Sequence, residues 1–210
     1  MYLKKPMEIE NKSMEIIEAE LGEHGMSLQE LMVVERTIHT TGDFDYQNIV
    51  SIKSKAIEEG LKAIKGGCRI VTDTTMALSG INKPALQKLN CKVECFIGHP
   101  EIFKNAKLKG ITRSMASMDH AASENVDIFV IGNAPTALYR IGELMKENKV
   151  FPKLIIGVPV GFVGAAESKE YIREFDVPSI TTIGTKGGSN VAASIVNALL
   201  YMANDGMRDE

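Results

Sequence analysis

The sequence predicts an α/β fold: a mostly parallel sheet with helices on both faces, in a single domain spanning residues 1–210. Three observations predict it. Short apolar runs alternate with segments of helical periodicity, no repeat or Pro/Ser-rich linker interrupts the alternation, and 44% of the 210 residues are hydrophobic, enough for one substantial core.

Two amphipathic helices come first. Ile9, Ile16, Ile17 and Leu21 form the apolar stripe of the opening one. In the next, Ser27 is a good N-cap with Glu30 three places on, Leu28, Leu31, Val34 and Ile38 are expected to face inward, and Thr41-Gly42-Asp43 ends the helix. Strands follow at 48–52, 68–72, 93–97, 127–131, 154–158 and 180–183. Helices are expected over 54–65, from near Pro84, over 114–124, after Pro135, over 166–174 and from Ser189.

Charge and composition exclude several function classes. The formal net charge is −3 with both signs interspersed, so no basic face is available to a nucleic-acid backbone. Lys4 and Lys5 are followed by Glu8 and Glu10 rather than by an apolar stretch, which predicts a cytoplasmic protein with neither a secretory signal nor a membrane anchor. Cys68, Cys91 and Cys95 read as core thiols. A metal site from Cys91, Cys95 and His99 would need a spacing that matches none of the common ligand patterns, and alternation puts Cys91, Val93 and Cys95 on one strand face. No metal is expected.

The last three strands each run into a glycine-bearing loop: Gly132-Asn133-Ala134-Pro135, Pro159-Val160-Gly161-Phe162-Val163-Gly164 and Gly184-Thr185-Lys186-Gly187-Gly188-Ser189. Any one of these alone is equally a tight turn. Three on one edge point to binding, because ligands of open α/β sheets sit beyond the carboxyl ends of the strands, where helix N-termini present free N–H groups. The Lys186 loop is not a nucleotide P-loop, since its lysine precedes the glycine pair, and no dinucleotide fingerprint follows any strand.

His39 is the most informative single residue. It lies in the last turn of the second helix, where the dipole and free carbonyls favour an imidazolium that can donate a proton near neutral pH. A lone histidine at a helix end is also an ordinary cap. His24, His99 and His120 read as surface or capping residues. Arg36 lies on nearly the same helical face as His39 and is placed either to meet the same ligand or to pair with an acid such as Glu35 or Asp43. Thr112-Arg113-Ser114 opens a helix, where a guanidinium and a hydroxyl would receive a carboxylate. Asp73-Thr74-Thr75 adds polar groups beyond another strand.

The run from Glu35 to Asp45 containing Arg36-Thr37-Ile38-His39, with Val71-Thr72-Asp73-Thr74, Thr112-Arg113-Ser114, Gly132-Asn133-Ala134-Pro135-Thr136, residues 157–168 and Gly187-Gly188-Ser189, resembles the precorrin-8X methylmutase family in order and spacing. The resemblance implies an isomerase of cobalamin biosynthesis. Such an enzyme moves a methyl group from C-11 to C-12 of a tetrapyrrole by a [1,5]-sigmatropic shift, giving hydrogenobyrinate or, when cobalt is already in the ring, cobyrinate. It also implies His39 as the catalytic histidine, no cofactor, and a homodimer with active sites near the subunit interface.

Substrate contacts are expected from Arg36, Thr74, Arg113, Ser114, Asn133, Gly161, Lys186, Gly187, Gly188 and Ser189. One departure is visible: Thr185 stands where many relatives carry arginine. Two other function classes compete, a non-catalytic corrinoid carrier and a nucleotide-dependent oxidoreductase. The missing dinucleotide fingerprint argues against the second.

Overall fold

The computed structural model describes residues 4–204. The six-stranded sheet has the order β1-β6-β5-β4-β2-β3, with strands β1 (Val50–Ile52), β2 (Arg69–Thr72), β3 (Lys92–Glu94), β4 (Ile128–Ile131), β5 (Leu154–Gly157) and β6 (Ser179–Thr182). β1 runs antiparallel to β6, and every other pairing is parallel. The expected fold class is therefore the observed one, with one antiparallel edge strand.

Alternation along the strands divides the core in two. Ile70, Ile128, Val130, Leu154, Ile156 and Ile180 point to one face. There they meet α1 (Pro6–Leu21), α2 (Leu28–Thr41), α4 (Ala56–Lys65), α6 (Lys83–Lys88) and the almost wholly apolar α11 (Ser189–Ala203). Val71, Phe129, Ile131 and Ile155 point to the other, under α7 (Pro100–Lys109), α8 (Arg113–Ala121), α9 (Pro135–Lys146) and α10 (Ala165–Arg173). Strands buried on both faces read as continuous apolar runs, which is why they were visible in the sequence.

Local signals set the ends of α2. Ser27 and Glu30 form a reciprocal capping box, and Gly42 closes the helix in the left-handed conformation with its N–H donating to the Ile38 carbonyl at 2.7 Å. Leu31, Val34 and Ile38 are buried as expected, but Leu28 is exposed, because it occupies the first helical position ahead of the packed face. In α1, Ile17 and Leu21 are buried whereas Ile9 and Ile16 are exposed. This helix is an outer layer resting on α2, so only a narrow part of its stripe finds cover.

Further departures are short or directional. The strand expected at 48–52 is a helical turn, α3 (Tyr46–Ile49), followed by the three-residue β1. The helices α5 (Thr75–Gly80) and α7 were not anticipated. Cys68 and Cys91 are buried and lie 3.5 Å apart at their sulfurs, while Cys95 is only half-buried and so is not a core thiol. Among the described residues, no helix is long and apolar enough to cross a membrane.

Candidate active site

The chain reverses its direction of travel across the sheet between β2 and β4: β3 lies on one side of β2, and β4, β5 and β6 follow on the other. The crevice beyond the carboxyl ends of such strands is where ligands of open α/β sheets bind. Here that point is built around Asp73, which is almost fully buried immediately after β2. Its carboxylate accepts the N–H groups of Gly132, Asn133 and Ala134 at 2.9, 2.9 and 2.8 Å. Burial pushes its pKa up, against the three N–H bonds that hold it down.

Next to it the Thr74 hydroxyl caps α5 by accepting the Ala77 N–H, and shares a 2.8 Å hydrogen bond with the Ser189 hydroxyl at the start of α11. Gly132 must be glycine, because a Cβ there would lie 2.6 Å from the Ser189 Cα. Gly187 faces the same constraint more severely, with positive φ and a would-be Cβ 2.1 Å from the Val158 carbonyl oxygen. The Gly188 N–H donates to that carbonyl at 2.9 Å, and the Gly161 N–H donates to the Thr185 carbonyl at 3.1 Å. Thr74, Asn133, Ser189 and the three glycine loops thus converge on one edge.

The turn that follows His39 is tied to this edge. The Lys186 ammonium pairs with Asp43 at 2.6 Å and Asp45 at 3.1 Å, tying residues 184–189 to the segment just beyond the C-terminus of α2. The Ile183 N–H, donating to the Ile49 carbonyl at 2.8 Å, adds a second tie. His39 itself is exposed. Its pKa lies below the ordinary histidine value, first because of desolvation and then because of the Arg36 charge. These two effects oppose the helix dipole, which favours the imidazolium.

Arg36 stands apart. Its guanidinium pairs with Glu10 at 2.9 Å, with both side chains largely buried, and sits over the Tyr201 ring. Glu10, not Glu35 or Asp43, is its acid. On the other side of the edge, Arg113 is exposed with its guanidinium over the Phe103 ring, beside half-buried Ser114. The adjoining Thr112 hydroxyl bonds that of Thr136 at 3.0 Å, which joins the starts of α8 and α9. Cys91, raised above as a possible ligand with His99, turns its sulfur toward Cys68 and the Ile64 carbonyl instead.

Two features of the edge were not foreseen. Lys169 is 0% exposed, donates to the Thr182 hydroxyl at 3.0 Å and to the Lys186 carbonyl at 2.9 Å, and burial lowers its pKa to about 8. It props the Lys186 loop from beneath. Phe162 and Val163 are 94% and 90% exposed, with Met76, Val160 and Ile183 also uncovered at strand ends. The signal for this apolar rim was present as an apolar run in a loop, where polar residues are the norm.

Comparison with known proteins agrees with the architecture. The precorrin-8X methylmutase family model matches residues 8–202. The chain is 47% identical over 205 residues to a cobalt-precorrin-8 methylmutase of Leptospira interrogans, covering 93% of each chain. It is 44% identical over 210 residues to a protein of the same name from Methanocaldococcus jannaschii, covering 96% of each. A crystal structure of precorrin-8X methyl mutase from Thermus thermophilus superposes with a TM-score of 0.87 at 37% identity, covering 94% of this chain and 98% of that one. A match of this extent makes the chain a member of the precorrin-8X methylmutase family, isomerases of cobalamin biosynthesis.

Proposed function

We propose that this chain binds a carboxylated tetrapyrrole across the carboxyl edge of its sheet and moves a methyl group from C-11 to C-12 of the ring, with His39 as general acid. The bond from methyl carbon to C-11 breaks as the bond to C-12 forms, so the ring is isomerised without oxidation or reduction and no cofactor is needed. The Leptospira and Methanocaldococcus relatives are named for cobalt-precorrin-8, which favours a ring that already carries cobalt, held by the substrate's own nitrogens. The protein works in the cytoplasm as a homodimer whose partner subunit helps to enclose the ring.

The observation that carries this reading is a strand edge that is both glycine-lined and apolar, tied by the Lys186–Asp43 pair to the segment that follows the exposed His39. A flat macrocycle fringed with acetates and propionates presents both chemistries at once. Its faces suit Val160, Phe162 and Val163. Its carboxylates suit Arg113, Ser114, Asn133, Thr74, the Lys186 ammonium and the N–H groups of Gly187 and Ser189, while the Gly161 and Gly188 N–H groups shape the loops that present them.

The pKa of His39 lies below the ordinary histidine value in the free protein, and the arriving polyanion favours the charged form. Carboxylates within about 4–6 Å raise the pKa of an imidazole, so the proton is taken up with the substrate and lent to a ring nitrogen as the methyl migrates. The sign follows. Activity needs the acid form and is lost as pH rises through its pKa, so kcat/KM, which reports the free protein, should lose its alkaline limb below the ordinary histidine value, and kcat should lose its limb at higher pH.

Replacing His39 by alanine tests the assignment. Turnover followed by the visible spectrum of the ring should fall by about 10²–10⁴ while ring binding persists, the cost of removing a positioned general acid. Near-normal turnover removes His39 from the role. A natural protein that binds the precursor without converting it is a carrier, and the enzymatic reading fails.

A further inference from the structure

Away from the strand edge, a second group of side chains converges with no part in the reaction. His99 is the residue before the first turn of α7, Glu101 is the second residue of that helix, and His120 lies in the last turn of α8. The Glu101 carboxylate oxygen is 3.9 Å from the His99 Nδ1 and 4.0 Å from the His120 Nδ1, and the donor atoms of all three groups lie within 4.8 Å of one another. Both imidazoles turn the same nitrogen toward one oxygen, yet both gaps are too long for a hydrogen bond.

The two rings are not free to wander. Phe96, buried beneath them, packs edge-on against His99 at 5.3 Å and against His120 at 4.6 Å between ring centres. An apolar floor thus lies under two imidazoles whose donor atoms, with those of the carboxylate, fall within 4.8 Å of one another.

We propose that His99, Glu101 and His120 bind one divalent transition-metal ion of borderline softness, such as Zn²⁺ or Co²⁺. Two imidazole nitrogens and one carboxylate oxygen are the donor set such ions take, with bonds of about 2.0–2.2 Å and a fourth position left to water. Ligands about 3.4 Å apart suit a tetrahedron of that size, so the gaps to Glu101 need close by about half an ångström and the gap between the imidazoles by no more than about 1.4 Å, which side-chain rotation supplies. Mg²⁺ and Ca²⁺ prefer all-oxygen shells and are excluded by the imidazoles. The ion would pin the start of α7 to the end of α8, closing that helical pair at one end. Sequence spacing concealed the site because His120 lies 21 positions from His99.

Isothermal titration of the full chain with ZnCl₂, and separately with CoCl₂, tests the proposal. The expected result is one ion per chain with a dissociation constant in the range of about 1–100 µM, and roughly ten-fold weaker binding in His99→Asn and in His120→Asn. His24→Asn serves as the control and should bind as the natural protein does. The three histidines lie on the surface or near it, so folding is checked by the unchanged thermal transition of the metal-free variants. Binding weaker than about 100 µM, or binding that both His99→Asn and His120→Asn leave within about five-fold of the natural value, overturns it.

Discussion

The turn after β4 and the loop after β5 leave neighbouring strands at the same edge of the sheet, and both begin beside a glycine, yet they are held in opposite ways. In the first, the N–H groups of residues 132–134 all donate to one buried carboxylate, and there is no room for a side chain on Gly132. In the second, Phe162 and Val163 stand almost fully in solvent, and the bonds to the next loop, from the Gly161 N–H to the Thr185 carbonyl and from the Gly188 N–H to the Val158 carbonyl, involve neither of them. A buried acid and an uncovered phenyl ring a strand apart invert the usual sorting of polar and apolar groups. The first region is a frame that fixes backbone donors. The second is a contact surface whose apolar area is there for something other than the core.

Replacement of Asp73 by alanine probes the frame and carries the largest effect. Each buried N–H left without an acceptor costs about 1–3 kcal/mol, so losing the acceptor of three should lower the unfolding free energy by at least about 3 kcal/mol in a urea titration. A loss under about 1 kcal/mol would erase the distinction between the two loops.

Replacement of Phe162 by serine probes the surface. Unfolding free energy should stay within about 0.5 kcal/mol of the natural value, because the ring packs on nothing within the subunit. Affinity for the corrin product should weaken by about 1.5–3 kcal/mol if the ring becomes buried against it. Large destabilisation of the single subunit, or unchanged affinity, would break the assignment.

Lys169 is a positioning residue beneath the neighbouring Lys186 loop, and Lys169→Met removes its bonds to Thr182 and the Lys186 carbonyl while keeping its apolar stem. KM should rise roughly ten-fold with kcat little changed, as expected when a binding loop loses its support but the acid keeps its place. An equal loss in kcat would show that Lys169 acts on the chemistry instead.

Much of this was legible in the sequence, for local reasons. The Ser27–Glu30 box, the Gly42 cap and the continuous apolar runs of the central strands depend on near neighbours, and they appear where expected. β1 was harder because three half-buried residues carry no sign of direction, which is set by pairing with β6. The site divides the same way. Glycine loops at strand ends were readable, but the company each charged side chain keeps was not. Arg36 lies one helical turn from His39, yet its acid is Glu10, brought in by α1. Lys169 reads as a solvated lysine beside Glu170, and only the return of β6 buries it. For His39 the helix dipole was readable, whereas the partial desolvation that lowers its pKa depends on what packs around it.

The most direct test of the account is a crystal structure of the protein with its corrin product bound. The account predicts the macrocycle against Val160, Phe162 and Val163, carboxylates on residues 186–189 and Arg113, and a nitrogen of His39 at about 2.6–3.2 Å from the ring nitrogen it serves. A ring bound at the amino edge of the sheet, or one whose nitrogens all lie beyond about 6 Å from that imidazole, would contradict it.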